Sequence, residues 1–186
     1  MNKTIKVVGT LLVICLVAAL ALGYTNSITA PIIAERNVQA DNALRKDVLP
    51  EAKDFEKVES SEFDAQGGMI QEVYKGLDGS EVVGYTIKTA PSGYGGTFDC
   101  MVGISKDGKI TGVNMSNMQE TAGLGAKAVE PEFRGQYKGK EAKELVVAKG
   151  SAKGDNEILA ISGATITSTA VTNGVNSAIK LFDTLK

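Results

Sequence analysis

The run Ser162-Gly163-Ala164-Thr165-Ile166-Thr167-Ser168-Thr169 gathers five hydroxyls and two small residues between a short apolar segment and a periodic one. Beyond it, Val171, Val175, Ala178, Phe182 and Leu185 recur at spacings of four and three, which predicts an amphipathic helix with one buried face. The hydroxyls then stand where a helix leaves backbone N–H groups unpaired. Gly163 and Ala164 let a ligand approach the backbone closely, and such a helix start binds phosphate. A plain helix cap built from Ser162, Thr165 or Thr167 accounts for the same residues, because serine and threonine are ordinary capping residues.

Two glycine-spaced loops carry the remaining candidate chemistry. Ala90-Pro91-Ser92-Gly93-Tyr94-Gly95-Gly96 and Glu120-Thr121-Ala122-Gly123-Leu124-Gly125 each combine small residues with a few polar or large ones. Either loop can wall a ligand site, since glycine permits close approach of backbone to ligand. Each also has an ordinary reading: Glu120 as a solvated carboxylate, Leu124 as core, Tyr94 as a surface turn residue.

Composition narrows the chemistry. The chain has 186 residues, no His, no Trp and a net charge of -2. Without His it lacks the commonest general base and transition-metal ligand, which argues against haem and catalytic zinc. Cys15 and Cys100 form no CxxC or cluster spacing, so no iron–sulfur centre is encoded. Lys138, Lys140 and Lys143 are interrupted by Glu141 and Glu144, a solvated face rather than a nucleic-acid footprint.

These residues must be positioned by elements readable in order. Lys3 and Lys6 precede an apolar run from Val7 to Gly23, and no Lys or Arg follows until Arg36. At about 1.5 Å per residue, and extended by Ile5 and Tyr24, that run just reaches a bilayer's ~30 Å core. The charge asymmetry places the N-terminus in the cytoplasm and the bulk of the chain outside. The alternatives are a cleaved signal peptide ending near Ala19-Leu20-Ala21 and a lipid-modified Cys15, the latter disfavoured by bulky Ile14 and by the apolar run that continues past it. Ala30 to Val48 is predicted helical with Pro31 in its first turn, stopped by Pro50. The acidic stretch Glu51 to Gly68 reads as a connection. Strands are expected over Met69–Lys75 and Glu81–Thr89, turning at Gly76–Gly79. A second hairpin, Phe98–Ile104 with Ile110–Met115, turns at Asp107-Gly108, with Cys100 facing inward. A short helix from Ala126, a loop from Phe133 to Gly139 and buried strands at Leu145–Val147 and Ile158–Ile161 complete the chain. The order argues for an α+β fold: a twisted, antiparallel-rich sheet with flanking helices, preceded by a single N-terminal transmembrane helix. The expected division is an anchor over 1–25, a helical stalk and connection over 26–68, and a ligand domain over 69–186.

With the anchor, Ser92-Gly93-Tyr94-Gly95-Gly96, Glu120-Thr121 with Gly123-Leu124-Gly125, and Ser162 through Ser168 together, the chain resembles the FMN-binding domain family over nearly its whole length. Within it the chain is similar to the G subunits of Rnf-type, membrane-bound, ion-translocating ferredoxin:NAD oxidoreductases. The resemblance implies one covalent FMN per chain, joined through its phosphate to the hydroxyl of Thr165 by a flavin transferase that uses FAD as donor. It further implies that Ser162, Gly163, Ala164 and Thr167 surround the phosphate. Glu120, Thr121, Leu124, Gly125, Gly93 and Tyr94 are expected to frame the ring. The implied role is electron transfer within the complex, with no turnover by this chain alone, no nucleic acid, and other membrane subunits as partners. The implied location is the cytoplasmic membrane, single-pass, with the C-terminal domain extracytoplasmic. The related sodium-translocating NADH:quinone reductase, a stand-alone extracytoplasmic flavoprotein, and a surface-anchored binding domain without flavin are the alternatives. In the family an acidic residue usually stands three positions before the motif serine; here that position is Leu159, and Glu157 is out of register.

Overall fold

The computed structural model describes residues 3–59 and 68–185. The chain forms two compact units, Met1–Asn42 and Ala43–Lys186. The described residues of the first are helical throughout and belong to α1 (Lys3–Val48), a helix of 46 residues. Its leading half is apolar and outward-facing, with Val7, Leu11, Leu16 and Leu20 all more than half exposed. Among the described residues it is the one helix long and apolar enough to cross a membrane.

The expected break before Pro31 is absent, and Pro31 lies inside α1. The polar side chains just before it fold back onto the helix: the hydroxyls of Thr25, Ser27 and Thr29 donate to the carbonyls of Ala21, Tyr24 and Thr25. Such back-bonding satisfies them without ending the helix, although proline removes one N–H from the ladder.

The second unit is built on a five-stranded antiparallel meander: β1 (Asp54–Lys57), β2 (Ile70–Asp78), β3 (Glu81–Thr89), β4 (Asp99–Ser105) and β5 (Ile110–Ser116), paired in chain order. Strand β1 corrects the reading of Glu51 to Gly68 as connection only. Its sequence DFEK carries no apolar alternation, and as an edge strand it is held by backbone pairing to β2. Residues 60–67 of that expected connection lie outside the described residues. Strand β2 also outruns its expected end: Gly76 and Leu77 straddle an irregularity inside the strand, and the turn follows Asp78 at Gly79.

One face of the sheet carries Val73, Ile87, Cys100, Val102, Ile104, Ile110 and Val113, fully buried under the long helix α3 (Thr165–Leu185). As expected, Val171, Val175, Ala178 and Phe182 are among the residues α3 buries. Phe182 meets Tyr85 edge to face at 5.9 Å. Burial pushes the Cys100 thiol up to about 12, the behaviour of a small core hydrophobe.

The opposite face is covered by the end of α1. Val48 and Leu49, both buried, lie over glycines contributed by four strands: Gly76, Gly84, Gly103 and Gly112. A Cβ on Gly103 would fall 2.2 Å from the Val48 carbonyl oxygen, so the backbone fits there only against glycine. Thr111 donates its hydroxyl to that same oxygen. Beside the seam, Arg45 pairs with Glu72 at 2.9 Å and stacks on the Tyr74 ring at 3.7 Å.

Between β5 and α3 the chain forms a 3-10 turn over Gly125–Val129, the short helix α2 (Pro131–Arg134) and a further 3-10 turn over Gly135–Tyr137. Phe133 and Tyr137 are buried there and meet edge to face, which replaces the expected loop. A small parallel sheet pairs β6 (Val146–Ala148) with β7 (Glu157–Leu159). Only Ile158 of the pair is fully buried, while Val146 and Leu159 are 46 % and 37 % exposed. These strands are therefore surface strands, too short to bury both faces.

Candidate functional site

The first intrahelical bond of α3 runs from Ser168 N–H to the Ala164 carbonyl at 3.0 Å, which makes Ala164 the capping position. Alanine has no side-chain acceptor. The cap reading of Ser162, Thr165 and Thr167 is thus not realised, and among the described residues no side chain accepts from the leading N–H groups of α3. The hydroxyl of Ser168 works behind the turn instead. It donates to Ala164 O and accepts from Ile161 N–H, both at 3.0 Å, closing the loop that delivers Ser162 and Gly163. Gly163 takes φ of 78°, a left-handed conformation natural to glycine.

Two threonines follow with different fates. Thr167 is buried, and its hydroxyl donates to Glu120 Oε2 at 3.0 Å. Thr165 is half-buried, and among the described residues its hydroxyl has no hydrogen-bond partner. Glu120 is also half-buried, and its Oε1 accepts from Gly95 N–H at 3.2 Å. One carboxylate thereby joins the two glycine loops to α3. Gly125 makes room for it: a Cβ there would lie 2.4 Å from Glu120 Oε2 and 2.7 Å from Thr167 Oγ1.

In front of this clip lies a cavity of about 460 Å³, within the usual range for small-molecule sites. Tyr94, Thr121, Leu124, Gly125, Gly163, Ala164, Thr165, Ile166 and Thr167 line it. The structure therefore brings together the expected residues from all three segments. Gly93 and Glu120 stand behind the wall, where a Cβ on Gly93 would meet Glu120 Oε1. Ser162 is exposed and lines the neighbouring cavity beside Phe133 and Leu159.

Tyr94, Ile166 and Leu124 are 74 %, 58 % and 43 % exposed, giving the cavity an apolar rim. Ile166 is the lining residue that sequence reasoning missed. Its signal was present: at 3.6 residues per turn it sits about 140° from the stripe begun by Val171, so an apolar residue there cannot serve the core. Gly95, which supplies the N–H to Glu120, was also not singled out.

Three positions before Ser162, the backbone of Leu159 pairs with the Gln136 side chain, N–H to Oε1 at 2.7 Å and Nε2 to the carbonyl at 3.2 Å. Glu157 accepts from the N–H groups of Lys153 and Gly154. These bonds hold its carboxyl below the usual range and commit it to the 149–156 loop.

The family model described as FMN-binding domain matches residues 93–180, from the first glycine loop through most of α3. The G subunit of the sodium-translocating ferredoxin:NAD oxidoreductase complex of Acetobacterium woodii is 50 % identical, over 94 % of this chain and 89 % of the relative. This chain belongs to the family of these G subunits. A second member, from the proton-translocating ferredoxin:NAD oxidoreductase complex of Clostridium ljungdahlii, is 32 % identical over 96 % of this chain and 91 % of its own length. The fold recurs in the crystal structure of Shewanella oneidensis NqrC, with a TM-score of 0.54 over 61 % of this chain and 58 % of that one, at 24 % identity. The matched span takes in residues of both glycine loops and the start of α3. The site fits such a cofactor: an uncapped helix N-terminus suits a phosphate, and an apolar-rimmed cavity suits a planar ring.

Proposed function

We propose that this chain is the covalent-FMN electron-transfer component of a membrane-bound, ion-translocating ferredoxin:NAD oxidoreductase, with FMN joined by a phosphoester to Thr165. The observation that supports the attachment point is the Thr165 hydroxyl on the cavity wall, without a hydrogen-bond partner among the described residues, beside Thr167 and Ser168 whose hydroxyls are both engaged. The leading N–H groups of α3 would hold the phosphate. Thr121 and the Gly125 backbone would offer polar contacts at the wall, while Tyr94, Leu124 and Ile166 exclude water from the ring. The flavin, when bound, supplies the redox chemistry, and the fold orients and tunes it. Turnover belongs to the assembled complex, so the partners are its other membrane subunits and, during maturation, a flavin transferase.

The leading half of α1 is assigned as the membrane anchor, with Lys3 and Lys6 on the cytoplasmic side and the flavin domain outside. The test is intact-mass measurement of full-length chain produced with a flavin transferase. Wild type is expected to gain one FMN and to fluoresce after denaturing electrophoresis; Thr165→Ala is expected to do neither. An adduct that persists in Thr165→Ala overturns the assignment.

A further inference from the structure

Thr165 and Thr167 present the same nucleophile two residues apart, and both touch one cavity. Nothing about a threonine hydroxyl as such makes the first an acceptor of a phosphoryl group and the second not. The surroundings differ in two respects: Thr165 is half-buried and Thr167 buried, and among the described residues only Thr167 of the two is bonded to a carboxylate. Thr167 Oγ1 lies 3.0 Å from Glu120 Oε2 and gives its proton to that oxygen, and the carboxylate is held in place from its far side by Gly95 N–H.

We infer that Glu120 is the specificity-determining residue of flavinylation, withholding Thr167 so that FMN is joined to Thr165 alone. The inference rests on attachment of FMN as described above and concerns the choice of hydroxyl. In the transfer, threonine Oγ1 forms a bond to the FMN phosphorus of FAD and the pyrophosphate P–O bond to the AMP half breaks. AMP leaves and the hydroxyl proton is released. At Thr167 the phosphodiester formed would place a second negative charge against Glu120, which like-charge repulsion disfavours. At Thr165 that obstacle is absent. Gly93 and Gly125 serve the same arrangement, since a Cβ on either would fall within 2.4 Å of a Glu120 oxygen.

A merely structural role for Glu120 would lower the yield at Thr165 without moving the flavin. Withholding of Thr167 predicts that the flavin moves. Full-length wild type, Thr165→Ala, Glu120→Ala/Thr165→Ala and Glu120→Gln/Thr165→Ala are incubated in detergent with flavin transferase and FAD. Adducts are located by tandem mass spectrometry of peptides, and folding is followed by thermal melting. The glutamine variant keeps an acceptor for Gly95 N–H and removes the charge. Expected are one FMN on Thr165 in wild type, none in Thr165→Ala, and one on Thr167 in both double variants. Folded double variants without FMN on Thr167 overturn the inference. If the alanine variant does not fold, the glutamine variant decides alone, and its failure to fold also overturns the inference, because Glu120 would then be required for the fold. A wild type without FMN on Thr165 overturns the attachment reading itself, a result distinct from either.

Discussion

Among the described residues the Thr165 hydroxyl has no competing bond, and serine would offer the same oxygen. Thr165→Ser is therefore expected to retain one FMN under conditions where Thr165→Ala retains none, read by intact mass. Gly125→Ala acts on the neighbouring hydroxyl. Its methyl would stand 2.4 Å from Glu120 Oε2, so the carboxylate must leave Thr167. In a Thr165→Ala background, Gly125→Ala is expected to allow FMN on Thr167, at a stability cost of about 1–3 kcal/mol for overpacking, measured by peptide mapping and denaturant titration. Most of the cavity lining was legible in Gly163 through Thr167 and in the glycine loops, because small residues mark close approach to the backbone. The direction of Glu120 was not. Whether a loop carboxylate faces a ligand, solvent or another loop depends on backbone geometry that no local spacing encodes.

Elements with strong periodicity were readable: the 3.6-residue stripe of α3 and the alternation of Phe98, Cys100, Val102 and Ile104 both appear as expected. Elements without an apolar signature were not. Strand β1 has one partly buried residue, Phe55, and exists through pairing with β2 alone. Glycine inside a strand leaves no side chain to pack, and the glycines of the seam are where the end of α1 lies down on the sheet. Gly103→Ala is expected to destabilise the domain by roughly 1–3 kcal/mol, because the obstacle is the Val48 backbone and cannot rotate away; chemical denaturation of the full chain in detergent measures it. The 149–156 loop carries a pH dependence. Glu157 has a lowered pKa from the Lys153 and Gly154 N–H bonds, so its contribution is present above the ordinary carboxylate range and lost as pH falls through the lowered value. Hydrogen exchange in this loop is expected to rise, relative to α3, as the solution is acidified through that window.

At the scale of the whole molecule, the extracytoplasmic placement proposed above for the flavin domain has a direct test. Ser151 is exposed on that domain. A Ser151→Cys chain is expected to react with a membrane-impermeant maleimide in intact cells, and labelling only after permeabilisation would reverse the topology. Native Cys100, buried with its thiol raised to about 12, is expected to resist alkylation until the domain unfolds, as followed by mass. The glycine seam also fixes where the membrane half can be cut away. A soluble fragment starting at Ala43 keeps Arg45, Val48 and Leu49 as the lid of the sheet, whereas one starting at Glu51 uncovers bare backbone and apolar edges across four strands. The shorter fragment should therefore aggregate on expression while the longer one stays monodisperse, although only eight residues separate them.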